Sequence, residues 1–283
     1  MSLEDTVYYK NQRVLLASKH EKERAVAHVF FNKLGCEVCI EDFDTDQFGT
    51  FTGEIERPQT AYETCILKAK NAGEEFNYNL SLASEGSFGS HPSAPFIPSA
   101  HEIMVFIDKK NGWIIAEQLV SQKTNYNMIT IDESADINSF LKRVNFPIHA
   151  LTLQTKTTKE IIAKGIRTPS CLSNFLRAGF QLEKHLFLAT DMRAMMNPTR
   201  MEVLSELADK LAVRISRDCP DCRTPGFGFK STQGRLPCNE CGSLTSFYEK
   251  EVWGCIQCEY YESRPRIDGL DCVDPGYCNY CNP

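Results

Sequence analysis

Four Cys-x-x-Cys pairs with identical internal spacing lie within the last 65 residues of the chain. Two thiolates separated by two residues can point at one metal ion from a tight turn, and two such turns complete a tetrahedral S₄ site. The pattern therefore predicts two zinc ions. We expect both to be structural, since protein sulfurs would fill every position and leave none for a catalytic water. The eight predicted ligands are Cys219, Cys222, Cys238, Cys241, Cys255, Cys258, Cys278 and Cys281.

The order in which these pairs share the two ions is open at this point. The segments between successive pairs contain 15, 13 and 19 residues, each long enough for a short hairpin. Sequential, nested and interleaved arrangements are therefore all feasible. We expect Cys272 to be a packed thiol. Cys36 and Cys39 lie in a predicted strand, where residues i and i+3 point to opposite faces, so they are not expected to share an ion.

The overall composition is that of a soluble globular protein. Hydrophobic residues make up 42% and charged residues 24% of 283 residues, and the net charge is −6. This charge gives no general attraction to nucleic acid or to an anionic membrane. The apolar runs are too short to span a bilayer, and no segment resembles a signal peptide. We therefore expect a reducing cytoplasm, where the thirteen cysteines would not form a disulfide framework.

The cysteine-rich segment is itself acidic. From residue 219 onward it has six basic and nine acidic residues, and each Zn(Cys)₄ centre would add two further negative charges. Binding to nucleic acid depends on cations that neutralise phosphates. We therefore expect no nucleic-acid partner for this segment, and a protein partner docking on it is the alternative.

The rest of the chain alternates between strand and helix patterns. Residues 1–217 are predicted to form an α/β domain, a mixed sheet with helices on its faces, and residues 218–283 a small zinc-ribbon module. Asn111-Gly112 predicts a hairpin turn, and Asn197 and Pro198 begin the last helix. The predicted strands lie near 13–17, 37–42, 79–83, 102–108, 113–120, 127–131, 149–154 and 185–190. The predicted helices lie near 20–34, 60–73, 134–143, 158–164, 170–178 and 198–216.

Polar side chains follow several predicted strands, where α/β sheets commonly bind ligands. Residues 84–101 are expected to form a long functional loop with Glu85 at its beginning. The turn Ser18-Lys19-His20 joins the first strand to the first helix, and its free N–H groups suit a phosphate.

A second group of candidates lies near the last helix. Asp191 and Arg193 end a later strand, and Arg200 lies in the first turn of the helix that follows. Carboxylates for Mg²⁺ and cations for phosphate oxygens are what phosphoryl chemistry requires.

Each candidate also has a structural alternative. Glu63 can complete a capping box with Thr60, and Lys68 can be a solvated helix residue. Glu85 can bond its own backbone, and the group of Asp191, Arg193 and Arg200 can be ion pairs that hold the last helix.

Several short motifs resemble the inosine-triphosphatase superfamily of nucleotide pyrophosphatases. Ser18-Lys19-His20 is similar to that family's strand-end Asn-Lys-His, and Glu63-Thr-Cys-Ile-Leu-Lys68 to its Glu-Asn-Ala-x-x-Lys helix. The resemblance implies that Glu63 binds Mg²⁺ and that Lys68 contacts phosphates. Ser84-Glu85-Gly86 corresponds to an acidic strand end, which implies Glu85 as the second metal ligand. Arg200 resembles the arginine of a Ser-His-Arg turn.

Over nearly its full length, the chain resembles a family of uncharacterised bacterial proteins. The runs that carry this resemblance are Phe48-Gly-Thr-Phe-Thr-Gly-Glu-Ile-Glu-Arg57, Asp191-Met-Arg-Ala-Met-Met-Asn-Pro-Thr-Arg200 and Cys278-Asn-Tyr-Cys-Asn-Pro283. This resemblance implies no particular activity.

Two hypotheses follow. The first is a Mg²⁺-dependent nucleoside triphosphate pyrophosphohydrolase, in which Glu63 and Glu85, with Asp191 as a further possible ligand, hold Mg²⁺. The groups that bind phosphate would be Ser18, Lys19, Lys68, Arg193 and Arg200. The second is a non-enzymatic protein that senses a nucleotide or another phosphorylated small molecule and docks a protein partner through its zinc module. The single acidic residue of Ser84-Glu85-Gly86 favours the second hypothesis, whereas the long polar loop and the carboxylates at strand ends favour the first, which is the leading one.

Overall fold

A computed structural model describes residues 8–50, 55–91 and 94–283 of the chain. The chain divides into two compact units, one of residues 9–212 and the other of residues 213–283 with Tyr8. The predicted boundary lies at 217/218, whereas this division falls at 212/213, inside the last helix. Both units combine sheets with other elements, and the larger one has the expected α/β composition.

A five-stranded mixed sheet forms the first half of the larger unit, in the order β2-β1-β3-β4-β5. The first three strands are parallel to one another, and β3, β4 and β5 form an antiparallel meander. The predicted hairpin joins β4 to β5 through residues 109–112, and Gly112 in this connection has φ +72°, a conformation that favours glycine. The strands are β1 (Arg13–Leu16), β2 (Glu37–Cys39), β3 (Leu80–His91), β4 (Ala94–Asp108) and β5 (Trp113–Ser121).

A four-stranded antiparallel sheet, β6-β9-β7-β8, forms the second half of the larger unit. Its core contains buried aliphatic side chains such as Leu151, Leu153 and Leu188 together with Phe140. The strands are β6 (Met128–Ile131), β7 (Leu151–Thr155), β8 (Ile161–Ile166) and β9 (Leu186–Thr190).

Several helix ends have recognisable caps. Gly35 ends the first helix at φ +66°, Thr60 caps the second, and the Asn197 side chain accepts the Arg200 N–H at 3.0 Å in the first turn of the last. The helices are α1 (Glu23–Leu34), α2 (Ala61–Glu75), α3 (Asn138–Arg143), α4 (Pro169–Leu182) and α5 (Pro198–Ile215).

The prediction of a long loop at residues 84–101 is wrong. Most of this segment continues β3 and β4 as a paired hairpin, with Glu85 opposite Ile103 and Gly89 opposite Ser99. Residues 92–93 lie outside the described part of the chain. The Ser- and Gly-rich composition predicts a loop, but pairing of the backbone along the ladder outweighs these weak local preferences. Glu85 therefore lies within a strand rather than after one.

The prediction of a helix at residues 158–164 is also wrong. Residues 161–166 form β8 instead, which pairs with β7 so that Leu153 lies opposite Ala163. The β-branched pair Ile161-Ile162 suits a strand, and Lys159 at φ +60° lies in the connection between the two strands. Here too, pairing with a neighbouring strand outweighs the local helical pattern.

The smaller unit contains a three-stranded antiparallel sheet, β10-β11-β12, comprising β10 (Gly228–Gln233), β11 (Lys250–Gly254) and β12 (Tyr261–Pro265). Its apolar core is small. It consists of Cys219, Phe227 and Cys255, with Trp253 and Tyr260 among the side chains packed against them. So small a core calls for an additional source of folding free energy.

Across the described residues, no helix is both long enough and apolar enough to cross a membrane.

Candidate functional site

A cleft with a volume of about 300 Å³ lies at the C-terminal end of β1. Backbone pairing between β1 and β3 ends at Leu16 and Leu82, but β3 continues to His91. The edge of β3 beyond Leu82 is thus not covered by β1, and residues 84–87 line the cleft. Its lining comprises Ala17, Ser18, Lys19, His20, Lys22, Thr45, Asp46, Gly49, Thr50, Arg57, Lys68, Ser84, Glu85, Gly86, Ser87 and Arg200.

The predicted phosphate turn lies at this cleft. Ser18 and Lys19 both line it, and the Ser18 hydroxyl accepts the His20 N–H at 3.2 Å. The Lys19 ammonium is paired with Asp44 at 2.6 Å and lies 3.7 Å from Asp46. The side chains of Lys19, Asp44 and Asp46 are each at least one-third exposed, so these ion pairs are weak. An anionic ligand can therefore compete with the two aspartates for Lys19.

Glu85 occupies the middle of the cleft between two cations. Its carboxylate accepts hydrogen bonds from Lys68 and from Arg57, the latter at 3.3 Å. Burial opposes its ionisation, but the charges of Lys22, Lys68 and Arg57 outweigh burial and lower the pKa of Glu85. The structure thus brings Lys68 and Glu85 into direct contact, as an ion pair.

Arg200 reaches the cleft from the first turn of α5. Its guanidinium forms two hydrogen bonds to the buried carboxylate of Glu102, at 2.7 and 3.2 Å, and donates to the Met192 carbonyl at 2.5 Å. Gly86 lies against this pair, since a Cβ there would be 2.6 Å from Arg200 Nη2. The lack of a side chain at Gly86 therefore allows the ion pair to lie against the edge of β3.

Lys22 is a buried cation of the cleft. Its ammonium donates to the Ser84 carbonyl at 2.8 Å, and among the described residues it has no carboxylate within ion-pair distance. Burial, followed by the charge of Arg200, lowers the pKa of Lys22 to about 8. Burial and nearby cations, Lys22 first, lower the pKa of His20 to about 3, so its imidazole is neutral at pH 7. Both groups therefore lie in a buried part of the cleft, where burial and neighbouring cations oppose a positive charge.

The hydroxyl of Ser84 has no hydrogen-bond partner within the described parts of the chain, although the residue is 1% exposed. A buried hydroxyl without a partner costs free energy, and most are satisfied by protein, water or a ligand. Ser84 lines the cleft next to Glu85. Its hydroxyl thus has unused hydrogen-bonding capacity at the wall of a cleft that is rich in cations.

Three predicted site residues do not line this cleft. Glu63 completes the capping box of α2, where its carboxylate accepts the Thr60 N–H at 3.0 Å. Asp191 is fully buried and accepts hydrogen bonds from the Gly165 N–H and from the Arg193 guanidinium. Glu63, Asp191 and Arg193 thus have the structural roles that were the alternatives to metal and phosphate binding.

The cleft does not have the carboxylate set expected of a magnesium site. Of the three predicted metal ligands, Glu85 lines the cleft while Glu63 and Asp191 do not, and among the described residues Asp46 is the second acidic residue of the lining. Among the described residues, the groups of three or more side chains able to hold a metal ion consist of cysteines alone. Mg²⁺ prefers several oxygen ligands in octahedral geometry. The residues present thus do not fit a preformed magnesium site.

The sequence did not single out Lys22, Arg57, Ser84 or Glu102 as site residues. Lys22 resembles any solvated lysine at the beginning of a helix, and its burial depends on the long extension of β3. Arg57 belongs to the run 48–57, of which residues 51–54 lie outside the described part of the chain. The one local signal was position, because Ser84 immediately precedes Glu85, which was a predicted site residue.

The eight predicted zinc ligands form two separate groups in the smaller unit. The ligand sulfurs of each group lie within 4.8 Å of one another. The closest Sγ–Sγ distances are 3.5 Å (Cys222–Cys255), 3.7 Å (Cys219–Cys258), 3.7 Å (Cys241–Cys278) and 3.9 Å (Cys238–Cys281). A tetrahedron with Zn–S distances near 2.3 Å has edges of about 3.8 Å. Both groups therefore fit a tetrahedral metal ion, and their sulfurs are too far apart for disulfides.

The pairing is interleaved, so that the first and third pairs form one group and the second and fourth form the other. β10 lies between the first and second Cys-x-x-Cys pairs, and β11 lies between the second and third. Each of these strands therefore connects a pair of one group to a pair of the other. Each group thus joins segments more than thirty residues apart in sequence. Cys272 belongs to neither group, and neither do Cys36 and Cys39.

The turns that present the cysteines repeat one geometry. The Arg223 N–H donates to the Cys219 carbonyl and the Gly242 N–H to the Cys238 carbonyl, both at 3.0 Å, and both donors have positive φ. The Gln257 N–H donates to the Cys255 sulfur at 3.2 Å. A hydrogen bond with Thr224 lowers the pKa of Cys222 to about 6. Such bonds favour the thiolate, which is the form that binds metal.

Comparison with known families gives one match. A protein-family model described as "Domain of unknown function (DUF6671)" matches residues 68–283, which include Lys68, Glu85, Arg200 and all eight cysteines of the two groups. No match to a curated protein was found. The comparisons give no support to the resemblance to the inosine-triphosphatase superfamily.

Proposed function

The chain belongs to the family described as a domain of unknown function (DUF6671), so we propose its function from the cleft itself: it binds a phosphorylated small molecule there. One observation carries this proposal. Among the described residues, five cationic side chains from four separate segments converge on the cleft, and two carboxylates line it. The cations are Lys19, Lys22, Arg57, Lys68 and Arg200.

A phosphoryl group suits this arrangement for two reasons. Its oxygens accept several hydrogen bonds at once, and Lys and Arg are the side chains that most often supply them. Burial, followed by the charges of Arg200 and Lys68, lowers the pKa of Lys22, and a dianion would relieve the repulsion among these three cations. The volume of about 300 Å³ is at the lower end of small-molecule sites. A nucleoside monophosphate or a sugar phosphate is of the size we propose.

We propose binding, rather than metal-dependent hydrolysis, as the function that the cleft supports best. A hydrolase with Mg²⁺ on Glu63, Glu85 and Asp191 would need these carboxylates in one place. Glu63 caps α2 and Asp191 is held by Arg193. Glu85 already neutralises two cations. Binding without turnover corresponds to the sensing half of the second hypothesis, and a docked protein partner stays a prediction.

A ligand screen tests the proposal. Thermal unfolding of the full chain is followed with adenosine 5′-monophosphate, ribose 5-phosphate and inorganic phosphate, each beside its unphosphorylated counterpart where one exists. We expect the phosphorylated members alone to raise Tm, since a ligand that binds only the folded state stabilises it. The variant Lys68→Met should abolish the rise, and Lys70→Met, a change at an exposed position of the same helix, should keep it.

Two outcomes would contradict the proposal. The first is an unchanged Tm with every phosphorylated compound. The second is an equal rise with adenosine and with its monophosphate, which would mean that the phosphoryl group contributes nothing. The same compounds and nucleoside triphosphates, incubated with Mg²⁺ and assayed for released phosphate and pyrophosphate, test hydrolysis. Turnover that disappears in Glu85→Gln would favour the hydrolase over simple binding.

For the smaller unit, we propose that both cysteine groups hold Zn²⁺ as structural ions. The all-sulfur donor set and the tetrahedral spacing of the sulfurs support zinc, although Fe²⁺ can occupy the same geometry. Elemental analysis of the purified chain should give two zinc ions per chain. One or none, or iron in their place, would contradict this assignment.

A further inference from the structure

Lys22 and Ser84 are two buried polar residues of the cleft, and they lie on different elements. Lys22 is the cap residue of α1, and Ser84 lies on β3 where that strand is no longer paired with β1. The two are joined through the Ser84 carbonyl, which accepts the Lys22 ammonium at 2.8 Å. Both residues line the cleft and both are buried.

Each of the two has hydrogen-bonding capacity that the described residues do not use. An ammonium has three N–H donors, and the structure gives Lys22 one hydrogen bond. The Ser84 hydroxyl has none. A ligand group with several acceptor oxygens, such as a phosphoryl group, could use the unused donors of both residues.

We infer that Lys22 and Ser84 bind the ligand's phosphoryl group directly. This group binds as a dianion, and its negative charge keeps Lys22 in the ammonium form. The inference rests on the proposed function and assigns it a ligand class, the phosphate monoesters. A diester or a carboxylate carries one negative charge and would be held less well. Lys22 takes up a proton as the ligand binds whenever the free protein has lost it.

The groups around Lys22 explain why its proton depends on the ligand. Arg200 from α5 and Lys68 from α2 disfavour the ammonium, while Glu85 from β3 and Glu102 from β4 favour it. The neighbouring His20 is neutral, and burial raises the pKa of Cys65, so its thiol is neutral too. In the free protein, burial dominates and lowers the pKa of Lys22 to about 8.

The sign of the pH effect follows from linkage. A dianion beside Lys22 raises its pKa, so above pH 8 the bound state holds one more proton than the free state. Affinity therefore falls as pH rises, and its slope approaches tenfold per pH unit. A phosphate monoester has its second pKa near 6, so the ligand itself does not titrate in this range.

The experiment is calorimetric titration of the full chain with adenosine 5′-monophosphate between pH 7.5 and 9.5. For the unmodified protein we expect affinity to fall roughly 20-fold over this interval. Lys22→Arg keeps its charge throughout and should remove most of the pH dependence. Lys22→Met should bind the ligand weakly at every pH. This variant tests the role of Lys22 even if an arginine side chain does not fit at that position. Lys33→Arg changes a lysine of α1 that forms a surface ion pair with Asp209 of α5, and this variant should behave like the unmodified protein.

Ser84→Ala supplies a second, independent readout. It removes a buried hydroxyl that lacks a partner, so the free protein should become more stable, with a higher Tm. It also removes a donor to the ligand, so affinity should fall roughly tenfold while its pH dependence is retained. A purely structural serine would not combine a gain in stability with a loss of affinity.

The outcomes separate this inference from the proposed function. If adenosine 5′-monophosphate, ribose 5-phosphate and inorganic phosphate all fail to bind, the proposed function is wrong and the inference is overturned with it. If they bind with an affinity that does not change between pH 7.5 and 9.5, or if Lys22→Arg keeps the full pH dependence, the inference alone is overturned. A destabilised Ser84→Ala variant with unchanged affinity would overturn the role of Ser84.

Discussion

The ammonium of Lys22 donates a hydrogen bond of 2.8 Å to the carbonyl of Ser84, and this contact joins the first helix to the exposed edge of β3. It exists because β3 runs nine residues past the end of its pairing with β1, as far as His91. Cations from α1, α2 and α5 meet along that edge. The cleft is therefore a consequence of the length of one strand.

Gly86 and Gly89 provide a matched pair of substitutions on that strand. A Cβ at Gly86 would lie 2.6 Å from Arg200 Nη2 and 2.7 Å from both carboxylate oxygens of Glu102, whereas a Cβ at Gly89 would have no atom within 4 Å. We expect Gly86→Ala to displace the buried ion pair, to lower the stability by about 1–3 kcal/mol and to weaken ligand binding. Gly89→Ala should change neither quantity.

Chemical denaturation and the ligand titration measure both effects. Equal behaviour of the two alanine variants would mean that the contact between the strand edge and Arg200 does not matter for the cleft.

A change of charge at Glu85 separates a binding cleft from a metal site. Glu85 neutralises Lys68 and Arg57. In Glu85→Gln both cations are released to the ligand, so affinity for adenosine 5′-monophosphate should rise severalfold, by roughly the strength of one partly buried charge interaction. Glu63→Gln, in the capping box of α2, should leave affinity unchanged.

Calorimetry with and without Mg²⁺ makes this comparison. A loss of affinity in Glu85→Gln, seen only when Mg²⁺ is present, would show that the carboxylate serves a metal after all.

The interleaved pairing of the cysteines gives a prediction about metal content. Cys222 and Cys255 belong to one group, and Cys241 belongs to the other. The double variant Cys222→Ser with Cys255→Ser should keep one zinc ion per chain, while Cys222→Ser with Cys241→Ser should keep none. Cys272→Ser, outside both groups, should keep two. Elemental analysis measures all three.

Sequential pairing would reverse the results of the two double variants. Removal of both ions with a chelator should also abolish amide protection in residues 213–283, because metal binding supplies folding free energy to small units of this kind.

His20 predicts a pH dependence of stability. Burial and the charge of Lys22 lower its pKa to about 3, whereas an unfolded histidine has a pKa near 6.5. As pH falls from 6.5 towards 3, the unfolded chain takes up a proton that the folded chain does not, so stability is lost in this window. By pH 5 this loss amounts to about 2 kcal/mol.

Urea unfolding of the unmodified protein and of His20→Asn at pH 7 and pH 5 checks the effect. The variant should lose less stability on acidification. An identical loss in both proteins would mean that His20 is protonated in the folded state.

Local patterns predicted the parts of this structure that depend on a few neighbouring residues. The Cys-x-x-Cys spacing identified all eight cysteines of the two groups because each turn presents its two sulfurs by itself. Asn111-Gly112 predicted its hairpin, and Thr60 with Glu63 predicted a capping box. In each case the physical cause lies within a few residues of the motif.

The parts that could not be predicted depend on distant segments. The interleaved pairing of the cysteines follows from the path of the chain through the smaller sheet. The spacing of the cysteines in the sequence does not reveal that path. The extension of β3 through Ser- and Gly-rich residues depends on its pairing with β4. The burial of Lys22 depends in turn on that extension, so nothing in its own sequence neighbourhood distinguishes it from a solvated lysine.

A crystal structure of the full chain grown with adenosine 5′-monophosphate tests the central claim most directly. We expect the phosphoryl group in the cleft at the end of β1, with oxygens within hydrogen-bonding distance of Lys22 Nζ and Ser84 Oγ and with Glu63 still capping its helix. A phosphoryl group bound elsewhere, with the cleft between α1 and β3 empty at saturating ligand, would contradict the account.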